Sequence, residues 1–211
     1  MLLITKEQGA ATSDGTSFFN KPDHSDVQIL IGKHNLPAHR LVLDCQSGYF
    51  SKALQLAFKE GTTNKFEFTE GSHHAYWRAF EFMYTGTYSE DPSTELEDEG
   101  EAIVLVLCQE TNCFVDDDEM TKDIRVYALA EYFQVECLKK YSLDKLVSKL
   151  ETLWNCEGFI DCIRETYCST TETDEEPRRL VARTAHKRLS YLWKKKPFRD
   201  LVHEGGGSQL I

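Results

Sequence analysis

The sequence predicts an α+β fold: a small, mostly antiparallel sheet capped by a cluster of helices and followed by C-terminal helices. Three observations carry this. Val27, Ile29 and Ile31 alternate with Gln28 and Leu30, the period of a strand with one apolar face. Gly32-Lys33-His34-Asn35 supplies a turn, and Leu36-Pro37-Ala38 returns from it; the proline suits an edge or terminal strand. Further on the apolar spacing widens to that of helices, as at Phe50, Leu54, Ala57 and Phe58.

The elements follow in order. Residues 1–17 are polar, without helical periodicity, and are expected to form a flexible N-terminal tail. Phe18 and Phe19 are expected to pack just ahead of the first strand. Ser47 can cap the helix carrying Phe50, because its hydroxyl accepts from the free amides of the first turn, and Gly61 ends that helix. Lys65 to Thr69 alternates as another strand. Ser72 can cap a helix with Tyr76, Phe80, Met83 and Tyr84 along one side, and Gly86 is a left-handed stop for it.

Ile124 to Phe133 reads as a helix with Ile124, Tyr127, Ala128 and Tyr132 on one face. Leu138 to Leu150 and Asn155 to Tyr167 make two more helices, and Ser169 to Asp174 is a linker. Pro177 falls in the first turn of the next helix, whose stripe is Leu180, Val181, Ala185, Leu189 and Leu192. Pro197 is expected to stop it, leaving one short turn from Phe198 to His203 and a flexible tail over 205–211.

Composition fits an ordinary soluble globular protein: 41% hydrophobic and 28% charged in 211 residues. The longest apolar run, Ala102 to Cys108, is far too short to span a membrane, and the first residues lack a secretory pattern. Cytosolic or nuclear residence is expected. The seven cysteines should then be reduced and mostly buried. Cys108 and Cys113 are five apart, and Cys156, Cys162 and Cys168 six apart, which matches no zinc spacing. His73-His74 are adjacent and cannot share a helix face, so a solvated helix start is expected rather than a metal site.

The net charge of −11 disfavours nucleic acid as the main partner. It is unevenly spread. Residues 89–123 hold thirteen acids against Lys122, a net of −12, while residues 178–199 hold nine basic residues and no acid. The blocks are opposite in sign and could meet, within one chain or between two. The basic block reads as the solvated face of an amphipathic helix, or else as a nuclear-import or nucleic-acid contact around Lys194-Lys195-Lys196.

The ordered set Ser25-Asp26-Val27, Ala38-His39-Arg40-Leu41-Val42-Leu43, Ser47-Gly48-Tyr49-Phe50, Phe66-Glu67-Phe68, Phe80 to Tyr88 and Val126 to Phe133 resembles the BTB/POZ domain over residues 18–145. The resemblance implies a protein-interaction fold that does no chemistry. Relative to the simplest members, residues 89–121 are an acidic insertion, with Ala102 to Cys108 as an added edge strand or a buried short helix. Residues 146–204 are similar to the short helical extension of stand-alone fungal members. No Kelch-like blades, MATH-like sandwich or zinc fingers are encoded.

By that resemblance, His39, Leu43, Ser47, Phe50 and Gly86 match core positions of the family motif, with His39 packed and hydrogen-bonded. Asp26 and Arg40 match positions that approach each other in a charged pocket; alternatively, Asp26 satisfies backbone amides and Arg40 lies at the surface. Phe58-Lys59-Glu60 stands where cullin-binding members carry a hydrophobic-x-Glu motif, so Phe58 is either an exposed anchor or part of the core. Glu60, Tyr84, Tyr88 and Tyr127 would complete such a surface. Cullin adaptors often dimerise through a helix ahead of the first strand, yet Gly9, Gly15 and Pro22 interrupt any such helix here, so a monomer or smaller assembly competes with homo- or hetero-oligomers. No phosphate loop, metal cluster or nucleophile with base is visible, so no enzyme activity or cofactor is expected. The alternative to a ligase adaptor is a scaffolding module in transcription or signalling. In either case the partners are other proteins.

Overall fold

A computed structural model describes residues 18–55, 63–90 and 118–203. The chain forms two units, residues 1–96 and 97–211.

In the first unit, β1 (Val27–Ile31) and β2 (His34–Ala38) form the expected hairpin, with Ile29 opposite Leu36. Gly32 opens the turn at φ 58°, a left-handed conformation that favours glycine, and a Cβ there would lie 2.5 Å from His73 Cε1, so a larger residue would have to displace the His73 ring. The third strand, β3 (Lys65–Phe68), lies on the other side of β1, giving the order β2-β1-β3. Pro37 is therefore on an edge strand, where a missing N–H is tolerated. The fold is α+β, but the sheet is mixed rather than mostly antiparallel. β3 runs parallel to β1, because the connection between them is a crossover carrying α1 (Arg40–Gln46) and α2 (Gly48–Ala53).

Val27, Ile29, Ile31, Leu36, Ala38, Phe66 and Phe68 are all buried, as their alternation requires. Helix α3 (His73–Thr85) contributes Phe80 and Met83 to this core. Phe50 is the hub: its ring centroid is 4.9 Å from Phe66, nearly perpendicular, and 5.9 Å from Phe80. Ser47 Oγ accepts from the Phe50 amide (3.2 Å), and Ser72 Oγ from the Ala75 amide (3.1 Å), so both helices start at the expected caps. Gly86 closes α3 at φ 76°, its amide donating to the Phe82 carbonyl.

The second unit is helical: α4 (Lys122–Tyr132), α5 (Glu136–Thr152), α6 (Gly158–Ser169), α7 (Glu175–Lys187), α8 (Leu189–Leu192) and α9 (Lys196–Leu201). Its core gathers Ile124, Tyr127, Leu146, Leu150, Phe159, Ile163, Val181, Leu192 and Phe198. A Schellman turn joins α4 to α5. The Val135 amide donates to the Ala130 carbonyl (2.8 Å) and the Gln134 amide to that of Glu131 (3.0 Å), with Gln134 left-handed at φ 55° where glycine is usual.

Four expectations need correction here. Tyr132 is exposed, because eight residues from Ile124 carry it about 80° round the helix; Val126, Ala130 and Phe133 are buried instead. Leu189 leaves the α7 stripe because Arg188, at φ −115° and ψ 13°, breaks the helix. Pro197 does not terminate a helix but sits in the first turn of α9, where its absent N–H costs no bond. Of the five described cysteines only Cys162 is buried; Cys45, Cys137 and Cys168 are exposed, and all five are free thiols. Ala57, Gly61, Ala102 to Cys108 and the two tails lie outside the described residues.

Candidate interaction surface

The first unit concentrates its polar contacts where β2 enters α1. His39 precedes the helix in extended conformation. Its backbone amide donates to Tyr84 Oη (2.8 Å), its Nδ1 lies 3.1 Å from the same oxygen, and its Nε2 lies 2.8 Å from the Asp23 carbonyl. A carbonyl only accepts, so the proton of neutral His39 belongs on Nε2 and the Tyr84 hydroxyl donates to Nδ1. Both ring nitrogens are engaged, which makes His39 a clamp between α1, α3 and the chain before β1.

Phe18 stacks edge-on against His39 at 5.5 Å, and Phe19 packs on Trp77 (5.1 Å) and Tyr84 (5.7 Å), as expected for the segment ahead of the first strand. Asp26 Oδ1 accepts from the Arg40 backbone amide (2.7 Å), supplying a first-turn partner that α1 lacks locally. The Arg40 guanidinium reaches instead the Leu54 carbonyl and Asn64 Oδ1. Asp26 and Arg40 thus meet through backbone, and each pins a segment of chain.

Burial pushes the Tyr84 hydroxyl up to about 12, with the nearby Asp26 charge adding to it and the His39 amide opposing it. Because the folded value is raised above the ordinary 10.0, this contribution to stability is present below pH 10 and lost as pH rises through 12. Urea unfolding across pH 9 to 12 should therefore show stability falling with pH, and Tyr84→Phe should flatten part of that slope. At pH 7 the same variant should lose about 1–3 kcal/mol, since His39 is left short of a partner. Equal slopes for both proteins would refute this role.

Of the motif positions, Leu43, Ser47 and Phe50 are buried and His39 is half-buried. The proposed surface tyrosines are placed differently from the expectation. Tyr88 and Tyr127 are buried and offer no side-chain surface. Tyr127 belongs to the second unit, where its hydroxyl donates to Asp174 Oδ1 (2.6 Å) beneath the Lys139 ammonium, 5.2 Å from the ring; burial and Asp174 both raise its pKa. Tyr84 is half-buried, with its hydroxyl occupied by His39. Phe58 and Glu60 lie outside the described residues.

Sequence reasoning missed Arg78, wholly buried on α3, which donates to the carbonyls of Ser89 (3.0 Å) and Glu90 (2.6 Å) and fixes the chain leaving the helix. An arginine on an apolar helix face was the available signal. It also missed the capping roles within the basic block. Arg178 donates to Thr170 Oγ1 (3.0 Å) and to the Tyr167 and Thr170 carbonyls at the end of α6, while Arg199 donates to the Trp193 (2.8 Å) and Lys194 (3.0 Å) carbonyls.

Residues 16–103 match the family model for the BTB/POZ domain. The chain contains a BTB/POZ domain. A search of curated proteins finds no match. The BTB/POZ domain is a protein–protein interaction module, and within it His39, Asp26 and Arg40 tie the start of α1 to α3 and to the chain before β1. The match holds most of the first unit. It ends at residue 103, short of α4 and of the first part of α5, which the expected domain over 18–145 would include. Among the described residues no helix is long and apolar enough to cross a membrane, and no group of His, Cys, Asp and Glu is arranged to hold a metal.

Proposed function

We propose that this protein is a non-enzymatic adaptor whose BTB/POZ domain docks on a cullin-type ubiquitin ligase scaffold through Phe58 and Glu60 while other surfaces hold a client. The carrying observation is the position of Phe58-Lys59-Glu60, which follows α2 directly after Phe50 and Leu54 have been consumed by the core. With Tyr88 and Tyr127 buried, the reading rests on these two residues and on Tyr84. The non-enzymatic part is supported by His39, the one histidine in a motif position, whose two ring nitrogens are both occupied. Such an adaptor would work in the cytosol or nucleus.

One observation favours a second reading, an oligomerisation or scaffolding module without a ligase link. Leu41 on α1 is 67% exposed and Phe18, against His39, is 48% exposed, leaving apolar surface beside the helix.

Calorimetry against the N-terminal region of the host's BTB-binding cullin tests the first reading. Wild type should bind, and Phe58→Asp should lose at least about 2 kcal/mol of binding, the loss of an aromatic anchor. Circular dichroism must show the variant folded. No binding by folded wild type rejects the adaptor. In that case self-association in sedimentation velocity, abolished by Leu41→Glu, would support the scaffold.

A further inference from the structure

We propose that Ser190 is a phosphorylation site, modified by a serine kinase that reads basic residues and uses ATP. Two serines of this chain follow a basic pair across one residue: Ser142 after Lys139-Lys140-Tyr141, and Ser190 after Lys187-Arg188-Leu189. A cleft lined with carboxylates recognises such a pair through charge-assisted hydrogen bonds, and arginine offers the better fork. The fold separates two serines that the sequence makes alike.

Ser142 is 0% exposed on α5, and its hydroxyl donates to the Leu138 (2.9 Å) and Lys139 (3.0 Å) carbonyls. Lys139, three residues before it, is bound to Glu131 and Asp174. A kinase reaches that hydroxyl only by unfolding α5. Ser190 is the reverse case. Residues 186–191 are all exposed, an unbroken run between buried Ala185 and buried Leu192. Lys187 and Arg188 belong to that run, and the Ser190 hydroxyl makes no hydrogen bond among the described residues.

A kinase takes its acceptor in an extended segment, so the run has to open locally. The break at Arg188 makes this easy, because α7 ends there and α8 is one turn long. Lifting residues 186–191 breaks terminal backbone bonds, such as those from the Tyr191 and Leu192 amides to the Arg188 carbonyl (both 3.0 Å), and takes no side chain out of the core. The Arg188 guanidinium rests 4.4 Å from the Trp154 ring centroid, and Tyr191 meets that ring edge-on at 5.3 Å. Arg188 and Tyr191 are both exposed, so these contacts are weak and Arg188 can exchange Trp154 for a carboxylate.

In the transfer the Ser190 Oγ attacks the terminal phosphorus of ATP. The new O–P bond forms as the bond to the bridging oxygen breaks, ADP leaves, and the hydroxyl proton passes to a base of the kinase. The phosphate adds about −1.5 to −2 charge, which offsets the Lys187 and Arg188 cations beside it. It also stands four residues ahead of Lys194, acid before base at a spacing that favours a helix, so α8 persists after modification.

This inference does not depend on the cullin reading, and its test uses different residues. The full chain is incubated with ATP and the catalytic subunit of cyclic-AMP-dependent protein kinase, and the product is mapped by tandem mass spectrometry. Folded wild type should take one phosphoryl group, at Ser190, and Ser190→Ala none. Lys187→Ala/Arg188→Ala should lower kcat/KM at least about tenfold, the loss of charge-assisted contacts. The folded chain should react within about a hundredfold of a synthetic peptide of residues 184–195, since only surface bonds have to open. Circular dichroism keeps folding separate from recognition. A folded chain slower than that, or neither chain nor peptide modified, would overturn the proposal. So would phosphate at Ser142, incorporation unchanged in Ser190→Ala, or kcat/KM unchanged without the basic pair.

Discussion

Lys149→Met should destabilise the helical unit by about 3–5 kcal/mol, the cost of removing one partner from a buried ion pair. Asp123 on α4 is 0% exposed, and the Lys149 ammonium from α5 lies 2.6 Å from its Oδ2. The same ammonium is 3.0 Å from Glu119, which also holds Lys122 at 2.6 Å. Burial alone would raise the Glu119 carboxyl, but Lys122 and Lys149 together pull it below its ordinary value, so Glu119 is charged at neutral pH. Methionine keeps most of the Lys149 stem and removes only the charge. What remains is a carboxylate out of water without its nearest cation.

Urea unfolding followed by circular dichroism measures the loss, and hydrogen exchange along α4 and α5 locates it. Lys149→Met/Asp123→Leu should recover much of the stability, because replacing both members of a buried pair by apolar groups is often neutral. A loss below about 1 kcal/mol in the single variant would mean that water reaches Asp123 and the pair behaves as an exposed one.

Phe50→Ala should cost the first unit about 3–5 kcal/mol, and Phe50→Leu less than half of that. Phe50 is fully buried and touches the rings of Tyr49, Phe66 and Phe80. Truncation leaves a cavity between α2, β3 and α3 that no neighbouring side chain can fill without leaving its own rotamer. The Ser47 cap is untouched, since it binds the Phe50 amide rather than the ring. Protection from hydrogen exchange should fall in β1 and β3 and stay unchanged in α4 to α6. Uniform loss across both units would show that they unfold as one.

Local features were legible in the sequence wherever the cause itself is local. The alternation in β1, the Ser47 and Ser72 caps and the Gly86 stop each depend on groups within a few residues, and the structure has each in place. Periodicity failed where a helix broke. Arg188 ends α7 one residue before Leu189, and neither residue announces the break. The tyrosines proposed for the surface failed differently. Their type suits an interface, but Tyr127 is spent on Asp174, 47 residues away.

The sequence by itself determined the α+β character, the apolar faces, the caps and the match of residues 16–103 to a protein-interaction domain, because hydrophobic period and backbone satisfaction are short-range constraints. Only the tertiary structure decided the parallel placement of β3, the bond from Tyr84 to His39 across 45 residues, and the pairing of Lys149 with Asp123. It also decided which aromatics of the second unit stay outside its core. Those outcomes depend on which surfaces meet once the chain has folded, and a desolvated charge or hydroxyl takes whatever partner that meeting brings within reach.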